Sequence, residues 1–271
     1  MNEIIENLIA DGALFVINHS GGKDSQAMMI EVLKHVPASQ CLVVHATLGR
    51  FEWHGALELA QKQAADAGVP FVVAQGVTKD GSEKDFASMV RDRKAKRPDA
   101  PSFPSSACRQ CTSDLKRGPI EREIRHYIQA ENDRRDHVMP IDIIVNCVGI
   151  RAAESDDRAK LIACEQRKAK HDGLARAGRT AWNWLPIFDL TTEQVFQTIA
   201  NADQTPHWAY AAGNERLSCV FCIMGSKDDI INGAKHRPEL FAELAALEVE
   251  VGYTLHMSRK TLTQLVTEAA L

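Results

Sequence analysis

The stretch that most narrows the fold runs from Ala13 to Leu33. Ala13-Leu14-Phe15-Val16-Ile17 is a short, partly β-branched apolar run of strand character. It breaks into Ser20-Gly21-Gly22-Lys23-Asp24-Ser25 and restarts as Gln26-Ala27-Met28-Met29-Ile30-Glu31-Val32-Leu33, whose composition is helical. A strand, a glycine turn and a helix in that order expose consecutive backbone N–H groups and aim a helix N-terminus at one point, where an anion such as phosphate is stabilised. Glycine lets the backbone approach closely, Ser20 and Ser25 can donate from their hydroxyls, Lys23 adds charge, and Asp24 either holds the loop or helps place Mg²⁺. The spacing differs from the Walker loop, which needs Gly-Lys-Ser/Thr at the helix start, and from Gly-x-Gly-x-x-Gly.

The same alternation continues downstream. Cys41-Leu42-Val43-Val44-His45 predicts a second strand, Ala56 to Ala67 a second helix, and Val69-Pro70-Phe71-Val72-Val73 a third strand. Strands alternating with helices argue for an α/β fold, a parallel twisted sheet with helices on both faces. From Gly76 to Ala107 the pattern dissolves into Lys, Arg, Asp, Ser and Pro, which reads as a long surface connection or lid. Beyond it come a polar helix from Leu115 to Ala130, a buried strand Ile141 to Val148, and a charged helix around Glu154 to His171. Thr191 or Thr192 is placed to cap a helix running to about Ala200. A boundary near Asn201 divides the chain into residues 1–200, the α/β domain, and residues 201–271, a smaller C-terminal helical segment.

Composition limits the functional classes. At 45% hydrophobic and 25% charged over 271 residues, the sequence can bury an ordinary globular core. Met1-Asn2-Glu3-Ile4-Ile5-Glu6 is acidic where a targeting signal would be basic, and no apolar run approaches the ~20 residues that span a bilayer. The expectation is a cytoplasmic protein with no membrane partner. A net charge of −4 gives no global pull toward nucleic acid, so polyanion contact would fall to local patches such as Arg91-Asp92-Arg93-Lys94-Ala95-Lys96-Arg97, whose ordinary role is a solvated surface.

The seven cysteines include two Cys-x-x-Cys pairs, Cys108/Cys111 and Cys219/Cys222. That spacing lets both thiolates of a pair reach one metal, and four thiolates suit either an iron–sulfur cluster or tetrahedral zinc. Cys41 and Cys147 fall in expected strands and read as core residues, whereas Cys164 would sit on the charged helix. Trp182, Trp184 and Trp208 are read as packing residues.

Taken in order, several segments resemble the phosphoadenosine phosphosulfate (PAPS) reductase family of the PP-loop, or adenine nucleotide alpha hydrolase-like, superfamily. They are the glycine loop, Thr112-Ser113-Asp114-Leu115-Lys116-Arg117-Gly118-Pro119-Ile120, Gly149-Ile150-Arg151-Ala152-Ala153-Glu154-Ser155 with Arg158, Leu185-Pro186-Ile187-Phe188-Asp189-Leu190, and Cys219-Val220-Phe221-Cys222. The resemblance implies an adenine nucleotide, ATP or PAPS, on Ser20 to Ser25 and Arg151, with Lys23 and Asp24 at the chemistry. It also implies a phosphate- or substrate-holding role for Lys116, Arg117, Glu154 and Arg158, and the two guanidinium forks suit phosphate oxygens. Cluster-bearing members, and the similar sulfur-transfer subunit of DNA phosphorothioation systems, place cysteines in two such regions. The resemblance therefore favours a four-iron four-sulfur cluster on Cys108, Cys111, Cys219 and Cys222, with zinc as the alternative. Cluster-bearing sulfonucleotide reductases carry adjacent cysteines in the first region, where this chain has Cys-x-x-Cys.

Sulfonucleotide reductases attack with a thiolate near their C-terminus, and no cysteine follows Cys222 in this sequence. The sister chemistry adenylylates a substrate oxygen at the expense of ATP, after which a sulfur nucleophile displaces AMP. ATP-dependent activation coupled to sulfur transfer is the expected function, with a sulfonucleotide reductase or a non-catalytic nucleotide-binding subunit as alternatives. The expected partners are a sulfur donor protein, a nucleic-acid or small-molecule acceptor, and a second copy of the chain in a homodimer.

Overall fold

A computed structural model describes residues 3–134, 140–168, 173–176 and 178–268. In chain order the elements are α1 (Glu3–Ala10), β1 (Leu14–Asn18), α2 (Lys23–Leu33), β2 (Cys41–Thr47), α3 (Ala56–Asp66), β3 (Phe71–Gln75), α4 (Phe86–Lys96), α5 (Gln110–Thr112), α6 (Gly118–Arg134), β4 (Ile143–Cys147), α7 (Asp156–Ala159), β5 (Cys164–Gln166), β6 (Thr180–Trp184), α8 (Thr192–Asn201), α9 (Trp208–Ala211), α10 (Lys227–His236), α11 (Pro238–Val251) and α12 (Leu262–Thr267). They form two compact units. One holds Met1–His45, Leu57–Ala74 and Ile120–Pro206, and the other holds Ala46–Ala56, Gln75–Pro119 and His207–Leu271.

In the first unit the strands form a single sheet ordered β3-β2-β1-β4-β6-β5. β1 pairs in parallel with β2 and β4, β4 pairs in parallel with β6, and β5 closes the edge antiparallel to β6. Because side chains alternate along a strand, Phe15 and Ile17 enter one apolar cluster with Ile5, Met28, Val32 and Ile199, while Leu14 and Val16 enter another with Ile124, Ile128 and Ile144. Helices α1, α2 and α8 thus cover one face and α6 the other, the arrangement that continuous apolar strands require. Each large aliphatic or aromatic side chain so buried contributes about 2 kcal/mol from removal of apolar surface.

The second unit is discontinuous. Its core joins Phe51 and Trp53 to Phe86, Val90, Phe103 and Leu115, and these to Val220, Ile230, Leu244 and Leu262. The sequence reading assigned a second segment of residues 201–271; the compact unit begins instead at His207 and also gathers residues 46–56 and 75–119. The stretch expected to be a long surface connection or lid contains α4, which Asp85 and Ser88 start with a reciprocal capping box. Among the described residues, no helix is long and apolar enough to cross a membrane.

The charged helix expected from Glu154 does not form. Ser155 caps only the four-residue α7, accepting from the Arg158 N–H, and the chain then turns extended so that Cys164, Glu165 and Gln166 pair with β6. Pairing buries Cys164 against the sheet's apolar cluster, a long-range gain that the local charge pattern does not report. His171, the expected end of that helix, lies outside the described residues. The helix expected from Leu115 opens two residues earlier in a π-type turn, Ser113–Arg117, and continues as α6.

Candidate functional site: a glycine loop and a thiol cluster

The sheet order reverses direction at β1, with β2 on one side and β4 on the other. In open α/β sheets the crevice at the C-terminal ends of such strands is where ligands bind. The chain leaving β1 there is the glycine loop, and the chain leaving β4 is Gly149-Ile150-Arg151. Gly21 adopts φ +74°, a left-handed conformation that glycine enters without penalty. Gly22 is the N-cap of α2 and makes no side-chain capping hydrogen bond there.

The loop braces itself with its own donors. The Ser20 N–H donates to Ser25 Oγ at 3.1 Å, and Ser25 Oγ donates to the Gly22 carbonyl at 2.9 Å. The Gly21 N–H donates to His19 Nδ1 at 3.0 Å. Gly21 and Gly22 are buried, whereas Ser20 is exposed and Asp24 partly so. The amides of Ser20 and Gly21 therefore serve the loop, and α2 starts beside them without a side-chain cap.

His19 is a site residue that the sequence reading missed. With Nδ1 accepting from Gly21, the proton sits on Nε2, which faces Gln63 Oε1 at 2.5 Å. Gln63 also donates to the Gln26 carbonyl, and His45 Nδ1 donates to the His19 carbonyl. Burial lowers the His19 pKa from 6.5 to about 4, with Gln63 opposing the shift and His45 adding to it.

Asp24 is held from two sides. Arg151 Nε donates to Oδ1 at 2.7 Å and Lys23 Nζ to Oδ2 at 3.2 Å, and both cationic side chains are about 5% exposed. Arg151 also donates to the Leu190 carbonyl at 3.4 Å. With both carboxylate oxygens engaged, Asp24 as placed fixes the loop. Glu154 accepts the Arg151 N–H at 2.9 Å and pairs with Arg158, so it ties the two arginine-bearing turns together. Gly149 lets this turn meet α2: a Cβ there would lie 3.0 Å from the Asp24 carbonyl oxygen and 3.3 Å from Ser25 N. Asn18, Asn146 and Asn183 form a cross-strand amide row in the same sheet, with bonds of 2.8 and 3.2 Å.

The second unit carries the thiols. A bridge between Glu52 and Cys219, with the Val220 N–H donating to the Phe51 carbonyl, fixes Cys219 in place. The π-type turn positions Lys116, whose pKa is raised chiefly by Cys219 and further by Cys222, Cys111 and Glu52. Burial pushes the Cys219 and Cys111 thiols up, and Lys116 opposes it. Lys116 therefore lies within electrostatic reach of three thiols, while Arg117 is exposed. Cys108 stays exposed, its loop held by reciprocal Ser105–Cys108 backbone bonds of 3.2 Å. Among the described residues, no group of three or more His, Cys, Asp or Glu side chains is arranged to hold a metal ion. The four cysteines as placed do not close a tetrathiolate site.

The remaining residues fall into structural roles. Cys41, Cys147 and Cys164 are buried and burial raises each thiol, Cys41 to about 12. Trp182 and Trp184 pack against the sheet's apolar cluster, and Trp208 donates to the His54 carbonyl at 2.8 Å. The basic run lies mostly on α4, where Arg91 forms a bidentate pair with Glu250 and Arg93 donates to Gln110.

A mostly parallel sheet with helices on both faces, and a glycine turn where its strand order reverses, defines an α/β protein of the glycine-loop class. More particularly, the chain belongs to the phosphoadenosine phosphosulfate reductase domain family, whose model matches residues 15–224. An uncharacterized 37.8 kDa protein in the gpa 5′ region of Escherichia phage 186 is 27% identical over 150 residues, which are 54% of this chain and 39% of that protein. The match thus spans about two fifths of that relative's length. The chain is also similar to phosphoadenylyl-sulfate reductase from Candida auris in a phosphate complex, at 12% identity, over 80% of this chain and 86% of that one, with a TM-score of 0.47. Candida glabrata FMN adenylyltransferase with FMN and the ATP analogue AMPCPP is similar at 10% identity, over 81% of this chain and 59% of that one, with a TM-score of 0.45.

Proposed function

We propose that the chain is a PP-loop enzyme that binds ATP at the N-terminus of α2 and adenylylates an acceptor oxygen, which a sulfur nucleophile then displaces. The observation that carries this reading is the Lys23–Asp24–Arg151 clasp beside a helix N-terminus with no side-chain cap. Two cations and the first-turn amides at one place suit the charge of a departing pyrophosphate. The acceptor oxygen attacks the α-phosphorus, the α–β bridging bond breaks, and pyrophosphate leaves with the electron pair. A sulfide donor then attacks the activated carbon or phosphorus, the bond to the adenylyl oxygen breaks, and AMP departs; with a persulfide donor the acceptor is left in a disulfide with the donor, which a second thiol cleaves to leave the sulfur on the acceptor and a donor disulfide. Mg²⁺ belongs in this scheme to the ATP substrate. Ser20, Ser25 and Glu154 maintain the loop and its arginine, and Arg158 is the outer phosphate contact.

The same proposal extends to a four-iron four-sulfur or zinc centre on Cys108, Cys111, Cys219 and Cys222, which requires these thiols to draw together, and no step depends on it. Metal analysis of the anaerobically purified chain tests it directly. The acceptor class, nucleic acid or small molecule, and the donor protein follow from the chemistry and are tested with it. Pyrophosphate release from MgATP, assayed with candidate acceptors and a sulfide source, is the expected activity; tight ATP binding with no pyrophosphate or AMP would leave only a nucleotide-binding subunit.

A second reading, reduction of PAPS or adenylyl sulfate, is favoured by the family and by the three thiols around Lys116. A thiolate would attack the sulfonyl sulfur, expel the nucleotide, and pass sulfite on as a second thiol closes a disulfide, with a thioredoxin-type dithiol restoring both. Sulfite formation from PAPS without pyrophosphate release from ATP would select this reading.

A further inference from the structure

The second unit contains a cavity of about 810 Å³ that the proposed chemistry does not use. Its volume lies within the range of small-molecule sites. One wall is the face of α11 carrying Ala245 and Val249, whose four-residue spacing aligns them on one side of the helix, with Gly252 just past its end. Phe103, Tyr253 and Met257 supply further apolar surface. Val249 is 84% exposed and Met257 49% exposed, so apolar surface at this cavity remains in contact with water.

The cavity's charge is one-sided. Glu248 is its single acidic lining residue, but that carboxylate is buried and spent on two backbone amides, those of Leu255 and Leu262, at 2.7 and 2.9 Å. One lining cation stands against it: Arg259 lines the cavity with no ion pair among the described residues, and Lys94, outside the lining, lies over the Tyr253 ring at 5.0 Å. Arg259 is held at φ +62°, a left-handed conformation that costs an L side chain energy and tends to persist at functional sites. The turn beneath it is pinned, with His256 Nε2 donating to the Gly225 carbonyl at 3.0 Å and the Arg259 N–H to the His256 carbonyl at 3.1 Å.

We infer that this cavity binds a small organic anion with a flat apolar body, its rings against Phe103, Tyr253 and Val249 and its anionic group on Arg259. The site is separate from the nucleotide-binding proposal and stands or falls without it. It also touches the thiol loop, because Ser105 both lines the cavity and exchanges backbone bonds with Cys108. An occupant would therefore restrain Cys108.

The test is a fluorescence titration of the full-length, folded chain with anilinonaphthalene sulfonate, and with its uncharged counterpart N-phenylnaphthylamine. One saturable sulfonate site is expected, undisturbed by saturating ATP. Arg259→Gly relieves the backbone conformation, so it keeps the thermal transition, and it should weaken the sulfonate roughly tenfold or more while sparing the uncharged probe. Val249→Glu should weaken both probes. Equal sulfonate affinity in wild type and Arg259→Gly, displacement of the probe by ATP, or non-saturating binding would each overturn the inference. So would loss of a dimer in Val249→Glu, which would make this face an interface between copies.

Discussion

Acidification should weaken the glycine loop through one side chain, His19. Its Nδ1 accepts the Gly21 N–H and its Nε2–H faces Gln63, so the fold holds the ring neutral and burial lowers its pKa from 6.5 to about 4. A histidine depressed in the folded state binds fewer protons than in the unfolded chain between these two values. Its contribution to stability is therefore complete above the unfolded pKa and is lost as pH falls from 6.5 toward 4. Integrated over that window, the loss is about 2 kcal/mol at about pH 5 and about 3 kcal/mol near pH 4. Protonation at Nδ1 also turns the acceptor for Gly21 into a donor, so nucleotide affinity should fall in the same window. Urea unfolding of wild type and His19→Asn at about pH 7.5 and about pH 5 isolates the effect, because other titrating groups are common to both chains. Wild type should lose about 2 kcal/mol more than the variant over that interval. Equal losses would refute the reasoning.

Gly149→Ala would drive a methyl group into the Asp24 carbonyl at 3.0 Å. It is expected to displace the start of α2 and lower ATP affinity at least tenfold while costing about 1–3 kcal/mol in stability, read by calorimetry and thermal melting. Arg151→Met leaves Asp24 with Lys23 alone and should cost about 2 kcal/mol together with nucleotide binding, and Arg151→Lys should not restore binding because the fork to Asp24 and Leu190 is lost. Brief iodoacetamide treatment of the native chain should label Cys108 first and leave Cys41 and Cys147 untouched until unfolding, as read by peptide mass spectrometry. Rapid labelling of Cys108 in metal-loaded protein would count against a four-cysteine centre.

The glycine loop and the strands around it were legible because Phe15 to Ile17 and Leu42 to Val44 are buried on both faces, which writes an unbroken apolar run into the sequence. β6 was not legible. Its Trp182, Asn183 and Trp184 are only partly buried, and what makes them a strand is pairing with β4 and β5. The helix α4 carried its own signal in Asp85, Ser88 and the apolar Phe86, Met89 and Val90 at helical spacing, but the basic run beside them dominated the reading. Within the site, the residues named from the sequence were those with obvious phosphate chemistry. His19 and Gln63 act through the loop's backbone, and a histidine beside a glycine turn announces that role only once Gly21 is seen to donate to it. The discontinuous second unit depends on contacts such as Phe51 with Val220, between residues far apart in the chain, which no local pattern encodes.

In the proposed function the first turn of α2 receives a nucleotide's phosphates. Gly22 sits at φ −88°, a conformation open to any residue, and aspartate is a favoured helix cap that would fill the same amides with its own carboxylate. Calorimetric titration of wild type and Gly22→Asp with ATP and with pyrophosphate, on protein whose thermal transition is intact, tests this most directly. Both ligands should bind wild type and neither should bind Gly22→Asp; equal affinity in the two folded chains would rule out phosphate binding at this helix start.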